Sequence, residues 1–146
     1  MRRPVGAVLV GLAVLVPAAV AVADSFNPVV LTTTIASRAR LHKSLPIKVT
    51  VTADPGVLDT RTAPLRIEVK LASECGGVFQ YTPGVTLLNK QLNPQPATGR
   101  AYSATARGSG KPNQIGEQTV CEWLAEEGDG RVFASDQSIQ VDVKRK

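Results

Sequence analysis

The amino-acid sequence predicts an all-β protein: an antiparallel β-sandwich of about seven or eight strands, preceded by a signal peptide. The first observation is that apolar and polar residues alternate along several short segments, as in strands with one buried face. The second is that stretches rich in Pro, Gly and Asn separate these segments. The third is that one long apolar segment occurs, at the N-terminus: 17 of the 63 hydrophobic residues lie in residues 1–23. The other 46 are spread over 123 residues, an ordinary composition for a soluble domain.

Residues 1–23 have the pattern of a secretory signal peptide. Arg2 and Arg3 supply the positive charge, and an apolar run over 5–16 follows them. Small residues then stand at positions −3 and −1 of a cleavage site, which would make an aspartate the first residue of the mature chain. The residues that define this site are Ala21, Ala23 and Asp24. The alternative is an uncleaved membrane anchor, because residues 5–23 are about long enough to span a bilayer.

The mature chain is expected to form a single domain. Residues 24–44 would supply an N-terminal strand and a polar connection, and residues 45–146 the remainder of the sandwich. The mature chain carries a net charge of +3, with a balance of +6 over 24–116 and −3 over 117–146. This length excludes a multidomain enzyme, and so modest a charge argues against nucleic acid as a partner.

Strands are predicted from period-two alternation. The clearest segments are 45–53, 65–71 and 139–143, in which every second residue is aliphatic. Weaker candidates, rich in β-branched residues or flanked by turns, are 29–36, 85–92 and 100–107.

Residues 117–127 fit two structures. Val120, Trp123 and Leu124 have helical spacing, and Thr119 with Glu122 matches a capping box. As a strand, the segment places Cys121 and Trp123 on one face, with Gln118 and Glu122 pointing away. We favour the strand, because a hairpin turn over 126–130 would lead directly into a next strand at 132–134.

The two cysteines, Cys75 and Cys121, are predicted to form one disulfide, since exported chains fold in an oxidising compartment. Two free buried thiols are the alternative. Trp123 is expected to pack in the core near this bridge.

Catalytic and metal-binding patterns are not evident in the sequence. The single histidine, His42, lies in a polar stretch typical of a surface loop and has no nucleophile in a strained turn beside it. Zinc needs several Cys or His ligands at close spacing, and the acidic residues lack the density of a calcium loop. The sequence predicts neither a catalytic residue, nor a metal site, nor a cofactor.

Phe79 and Tyr81 are the candidate ligand surface. If their segment is extended, both rings share one face of a strand and could stack on a sugar. Packing of the pair in the core is the alternative.

A resemblance to a known group rests on Ala72-Ser73-Glu74-Cys75 after a strand and on Val120-Cys121-Glu122-Trp123-Leu124 near the C-terminus. With the signal peptide, these residues resemble small, largely uncharacterised secreted actinobacterial proteins, loosely over residues 45–143. The resemblance implies an immunoglobulin-like sandwich and supplies no catalytic residue. In antibody domains the disulfide joins the second and sixth strands, whereas Cys75 follows the third predicted strand.

The sequence therefore predicts a secreted, non-enzymatic binding module, extracellular or at the cell surface, with an unidentified extracellular protein or an anionic cell-wall polymer as partner. An alternative is a secreted inhibitor or effector that acts on another protein through Ala63-Pro64 and the loop 93–99. A hydrolase that uses surface carboxylates is a third hypothesis, to which no particular residue can be assigned.

Overall fold

The computed structural model describes residues 29–58, 63–128 and 131–145. The predicted signal peptide, with Ala21, Ala23 and Asp24, lies outside these ranges. The described residues form eight strands in two sheets and no α-helix, so the all-β prediction is confirmed. The strands are β1 (Val29–Ile35), β2 (Arg38–Arg40), β3 (Leu45–Ala53), β4 (Leu65–Ala72), β5 (Val85–Gln91), β6 (Tyr102–Gly110), β7 (Gly116–Glu126) and β8 (Val132–Lys144).

The smaller sheet has the order β1-β3-β6 and the larger sheet the order β2-β8-β7-β4-β5. Neighbouring strands are antiparallel, except that β2 pairs with β8 in parallel. Strands β7 and β8 form the predicted antiparallel pair, so the strand interpretation of 117–127 is correct.

Two features of the larger sheet differ from the prediction. The predicted segments 132–134 and 139–143 belong to the one strand β8, whose register against β7 shifts between Val120 and Glu122. Strand β2 has only three residues, too few for alternation to be detected.

The two sheets bury a common apolar core. Strands β3 and β4 supply its centre, with Val49, Val51, Ile67 and Val69 completely buried. Because successive side chains of a strand point to opposite faces, one face of each sheet supplies these residues. Each such side chain contributes roughly 1.5–3 kcal/mol to folding by its removal from water.

Strand β6 passes close to β5 of the other sheet, and glycines permit this approach. A Cβ atom at Gly108 would lie 2.3 Å from the carbonyl oxygen of Leu87, and one at Gly110 would lie 2.6 Å from that of Thr86. Neither distance is compatible with a side chain unless the backbone moves.

We expect Gly108→Ala to destabilise the protein by about 1–3 kcal/mol, the usual cost of overpacking. Urea unfolding followed by tryptophan fluorescence measures the loss. Gly77→Ala is the matched control, because a Cβ atom there meets nothing within 4 Å. Equal midpoints for the two variants would contradict the close approach of β6 and β5.

The antiparallel pairing gathers the connections at two ends of the molecule. At the loop end, β3, β5 and β7 end and β4, β6 and β8 begin. The terminal end contains the β2–β3 turn, the β6–β7 connection and the end of β8. Within the three described ranges, no helix is long and apolar enough to cross a membrane.

Candidate functional site

The two cysteines are joined by a disulfide with an S–S distance of 1.97 Å and a Cα–Cα distance of 5.6 Å. Cys121 lies within β7 and Cys75 just beyond β4, so the bridge links neighbouring strands of one sheet. Trp123 is buried beside Cys121 and Ala72, near the bridge as predicted, but in a small cluster that is separate from the main core. Since Leu124 points into the main core, its neighbour Trp123 covers the opposite face of the sheet.

Phe79 completes this cluster as a packing residue. Its ring meets that of Trp123 edge to face, with 6.0 Å between centroids. The Lys70 ammonium lies 4.3 Å from the Phe79 ring centroid on one side, a cation–π contact. Lys70 Nζ also donates to the carbonyl oxygens of Phe79 and Thr82, at 2.8 and 2.6 Å, which fixes the β4–β5 connection over the tryptophan.

The expectation that Phe79 and Tyr81 share a strand face is wrong. The two residues lie in a short 3-10 helix, Phe79–Tyr81, so their rings do not follow period two. Tyr81 is 79 % exposed, whereas Phe79 is partly buried against Trp123. The role of the pair as a ligand surface stays a prediction. A pocket of about 200 Å³ beside the disulfide is below the usual size of small-molecule sites.

Glu122 differs most from its predicted position. In the predicted strand Glu122 points away from Cys121 and Trp123, whose face is expected to be the buried one, but the Glu122 side chain is 1 % exposed. Its Cα partner on β4 is Val69, a core residue, so the carboxyl group points between the two sheets. Thr33 of β1 donates a hydrogen bond to Oε1 across the core, while Oε2 has no partner among the described residues.

This environment changes the acidity of the carboxyl group. Burial raises the pKa of Glu122 to about 7, since the charged form loses its hydration; the bond from Thr33 opposes this, and nearby Asp136 adds to it. Glu122 thus carries a proton through most of the acidic range. Its burial separates it from solvent and from His42, which lies exposed in the β2–β3 turn with a φ of 60°.

Four cations line a groove of about 470 Å³ at the terminal end: Arg38, Arg40, Lys43 and Lys144. The parallel pairing of β2 with β8 places Arg40 beside Lys144 and Arg38 beside Asp142. Lys144 forms an exposed ion pair with Asp142, at 3.2 Å.

The side chains of Arg38, Arg40 and Lys43 are exposed, and we find no hydrogen bond or ion pair for them within the described part of the chain. Exposed cations without a carboxylate partner attract anions. The sequence divides into a basic block, 24–116, and an acidic block, 117–146, but the fold does not keep them apart. Lys144, from the acidic block, lies with the basic side chains of β2.

The two loops predicted to contact a protein partner lie together at the loop end. The backbone N–H of Leu65, next to Ala63-Pro64, donates to Gln95 Oε1 of the 93–99 loop at 2.9 Å. Tyr102 donates its hydroxyl proton to the carbonyl oxygen of Pro94, also at 2.9 Å. Glu126 Oε1 accepts from the N–H of Ala63 at 3.0 Å. These bonds hold the β3–β4 and β5–β6 connections against each other and against β7.

No protein-family model matches this chain, and no curated protein matches it. Among solved structures it is similar to the Pseudomonas fluorescens alkylpurine DNA glycosylase AlkC bound to DNA containing an abasic site analog. The similarity covers 80 % of this chain and 30 % of that one, with a TM-score of 0.40 and 11 % sequence identity. This chain thus corresponds to less than a third of that structure.

Proposed function

We propose that this protein is a secreted, non-enzymatic binding module that acts outside the cell or at the cell surface. The observation that carries the proposal is the groove at the terminal end, in which the side chains of Arg38, Arg40 and Lys43 are exposed and form no ion pair within the described residues. Cations in a groove are a site for an anionic ligand, because desolvation and charge attraction there act together.

We further propose that the domain is an immunoglobulin-like sandwich. In such domains strands A, B and E lie in one sheet and C, F and G in the other, and some add C′ beside C. The order β1-β3-β6 corresponds to A-B-E, and the order β8-β7-β4-β5 to G-F-C-C′. The disulfide departs from the antibody pattern, since it joins the end of C to F within one sheet.

The export proposal is supported by two features. The first 23 residues have the charge, apolar run and small-residue ending of a signal peptide. The Cys75–Cys121 bridge is the kind of bond that persists in an oxidising compartment. A location outside the cell also gives the basic groove access to cell-wall polymers.

Co-sedimentation with isolated cell walls tests the binding proposal. The purified mature chain, residues 24–146 with its disulfide formed, should sediment with walls in a saturable manner, and 0.5 M salt should release it because the contact is electrostatic. A protein that stays in solution at every wall concentration, or turnover of a glycan or ester substrate, would contradict the proposal.

The second candidate function is a secreted inhibitor or effector that uses the loop end. The observation in its favour is that Leu65, Gln95 and Tyr102 hold two candidate contact loops together, and preorganised loops lose less entropy on binding. A panel of secreted serine proteases tests it. Inhibition that Gln95→Ala weakens would favour this candidate, and an unaffected panel would remove it.

A further inference from the structure

We propose that the outer face of the smaller sheet and the neighbouring groove form one extended site for a linear, hydroxyl-bearing polyanion. This inference rests on the proposed binding function and names the ligand class for it. The site consists of a row of cations, here called the basic track: Arg38, Arg40, Lys43, Lys48, Arg107 and Lys144.

The basic track is continuous because two grooves meet. A second groove, of about 540 Å³, lies along β1, β3 and β6 and includes Lys48 and Arg107. Ala36 and Pro46 line both grooves. Pro46 and Lys48 are two residues apart on β3, about 7 Å at the usual strand rise. Arg38, Arg40 and Lys144 alternate with the core-facing residues Ala39 and Val143 of the larger sheet, whereas Lys48 and Arg107 lie on the outer face of the smaller sheet. A ligand that spans both grooves therefore bends around the edge of the sandwich and meets cations in each groove.

Like charges face each other within the basic track. Lys48 and Arg107 are Cα partners across β3 and β6, and Arg40 and Lys144 are partners across β2 and β8. Like charges directly opposite each other destabilise a sheet. Lys90 increases the local positive charge, since its ammonium group donates to the carbonyl oxygen of Arg107 at 2.8 Å.

An anionic ligand would relieve this repulsion. No aspartate or glutamate lines either groove in the described part of the chain. Asp142 is the one carboxylate that faces the track in the described strand pairings: it is the Cα partner of Arg38 and forms an exposed ion pair with Lys144. The arginine side chains offer planar donor groups that match phosphate or carboxylate oxygens.

Hydroxyl groups next to the basic track indicate which uncharged groups the ligand carries. In the register of the smaller sheet, the row Thr34-Lys48-Arg107 lies beside the row Thr32-Thr50-Thr105. These side chains alternate with the core residues of their strands and so face outward. The hydroxyl groups of Thr50, which is half-buried, and Thr105, which is exposed, are hydrogen-bonded at 2.8 Å. Hydroxyl groups both donate and accept, which suits a ligand that carries hydroxyl groups itself.

The ligand that fits both rows is a polymer whose repeat unit has one negative group and free hydroxyl groups. An extracellular glycan or alditol polymer has this chemistry. A single-stranded DNA has the charge and a phosphate backbone but lacks the free hydroxyl groups along it, so it serves as the discriminating ligand.

Binding of three fluorescent polymers to the purified 24–146 chain tests the inference: poly(glycerol phosphate), hyaluronan, and single-stranded DNA of matched charge. At 50 mM salt we expect at least one hydroxylated polymer to bind more tightly than DNA. Tighter binding of poly(glycerol phosphate) would identify phosphate as the preferred anionic group of the ligand, and tighter binding of hyaluronan would identify carboxylate. Failure of both hydroxylated polymers to bind, or DNA binding as tight as theirs, would overturn the inference.

Charge-removing variants locate the site. R38Q/R40Q and K48Q/R107Q should each weaken binding by about tenfold and make it less dependent on salt, since each removes two contacts to anions. R100Q, which removes an exposed cation at the loop end, should stay within about twofold of wild type. Equal losses in all three variants would place the site elsewhere.

A further variant, T50V/T105V, keeps every charge and tests the hydroxyl row. It should weaken binding of the hydroxylated polymer and leave DNA binding unchanged; no effect on either would contradict the role of these threonines. Thermal unfolding of each variant confirms that it is folded. If R38Q/R40Q loses binding to cell walls but K48Q/R107Q sediments like wild type, the extended basic track is wrong while the proposed binding function, which rests on the groove at the terminal end, stands.

Discussion

Removal of the disulfide by C75S/C121A is expected to lower the free energy of unfolding by about 4 kcal/mol. The bridge joins residues 46 positions apart, and in the chain-entropy account a loop of that length restricts the unfolded chain by about this amount. Since small domains are stable by roughly 5–15 kcal/mol, much of the stability depends on one bond. Alanine is chosen at position 121 because Cys121 is fully buried and a serine hydroxyl there would need a partner.

Urea unfolding of the oxidised wild type and of the double variant measures this loss. The wild type under strong reductant is the matched control, because its sequence is unchanged and only the bond is removed; it should lose a similar amount. A double variant as stable as the oxidised wild type would show that Cys75 and Cys121 do not form the bridge described here.

Glu122→Gln should make stability less dependent on pH, and make the protein more stable than wild type at pH 8. In the folded protein the pKa of Glu122 is raised to about 7, above the usual value of 4.5 that applies when the chain is unfolded. Below pH 4.5 both states bind the proton and the raised pKa has no effect. As the pH rises to 7, the unfolded state releases its proton first, so the folded state loses about 3 kcal/mol of relative stability.

Above pH 7 Glu122 is ionised in both the folded and the unfolded state, and its effect on the free energy of unfolding no longer changes with pH. The stability of E122Q relative to wild type should therefore rise by about 3 kcal/mol between pH 4.5 and pH 8 and then level off. Denaturation curves at a series of pH values measure it. E117Q is the matched control, since Glu117 lies on the same strand but is exposed, and it should keep the wild-type profile. Parallel profiles for wild type and E122Q would show that Glu122 does not carry a raised pKa.

The strands of the core could be predicted because their alternation is a direct consequence of burial on one face. Segments 45–53 and 65–71 carry an aliphatic residue at every second position, and these residues lie in the common core as parts of β3 and β4. A strand over 117–127, which the structure shows as β7 (Gly116–Glu126), could be favoured because the next segment along the chain also has the pattern of a strand. Pairing of β7 with β8 then outweighs the helical spacing of Val120, Trp123 and Leu124.

The burial of Glu122 could not be predicted, because a glutamate within an alternating segment usually indicates the solvent-facing side of a strand. Thr33, 89 residues away, donates the hydrogen bond that partly offsets its burial. The 3-10 helix at Phe79 and Tyr81 is equally non-local, since Lys70 and Trp123 fix it from two different strands. Local sequence patterns carry no information on contacts of this kind.

The basic track was only partly visible in the sequence. The sequence shows the excess of cations in residues 24–116, but the arrangement of these cations in the basic track depends on the pairing of β2 with β8 and of β3 with β6. Strand register is what places Arg40 beside Lys144 and Lys48 beside Arg107. A three-residue parallel strand leaves no pattern from which the first pairing could be inferred.

The proposal of a secreted, disulfide-linked binding module is tested most directly by intact mass under non-reducing conditions, measured separately on culture supernatant, wall and membrane fractions. The account predicts the mass of residues 24–146 less two hydrogen atoms, in the supernatant or held on the wall and released by salt. The mass of all 146 residues, found in the membrane fraction, would contradict it, because residues 1–23 would then be an anchor.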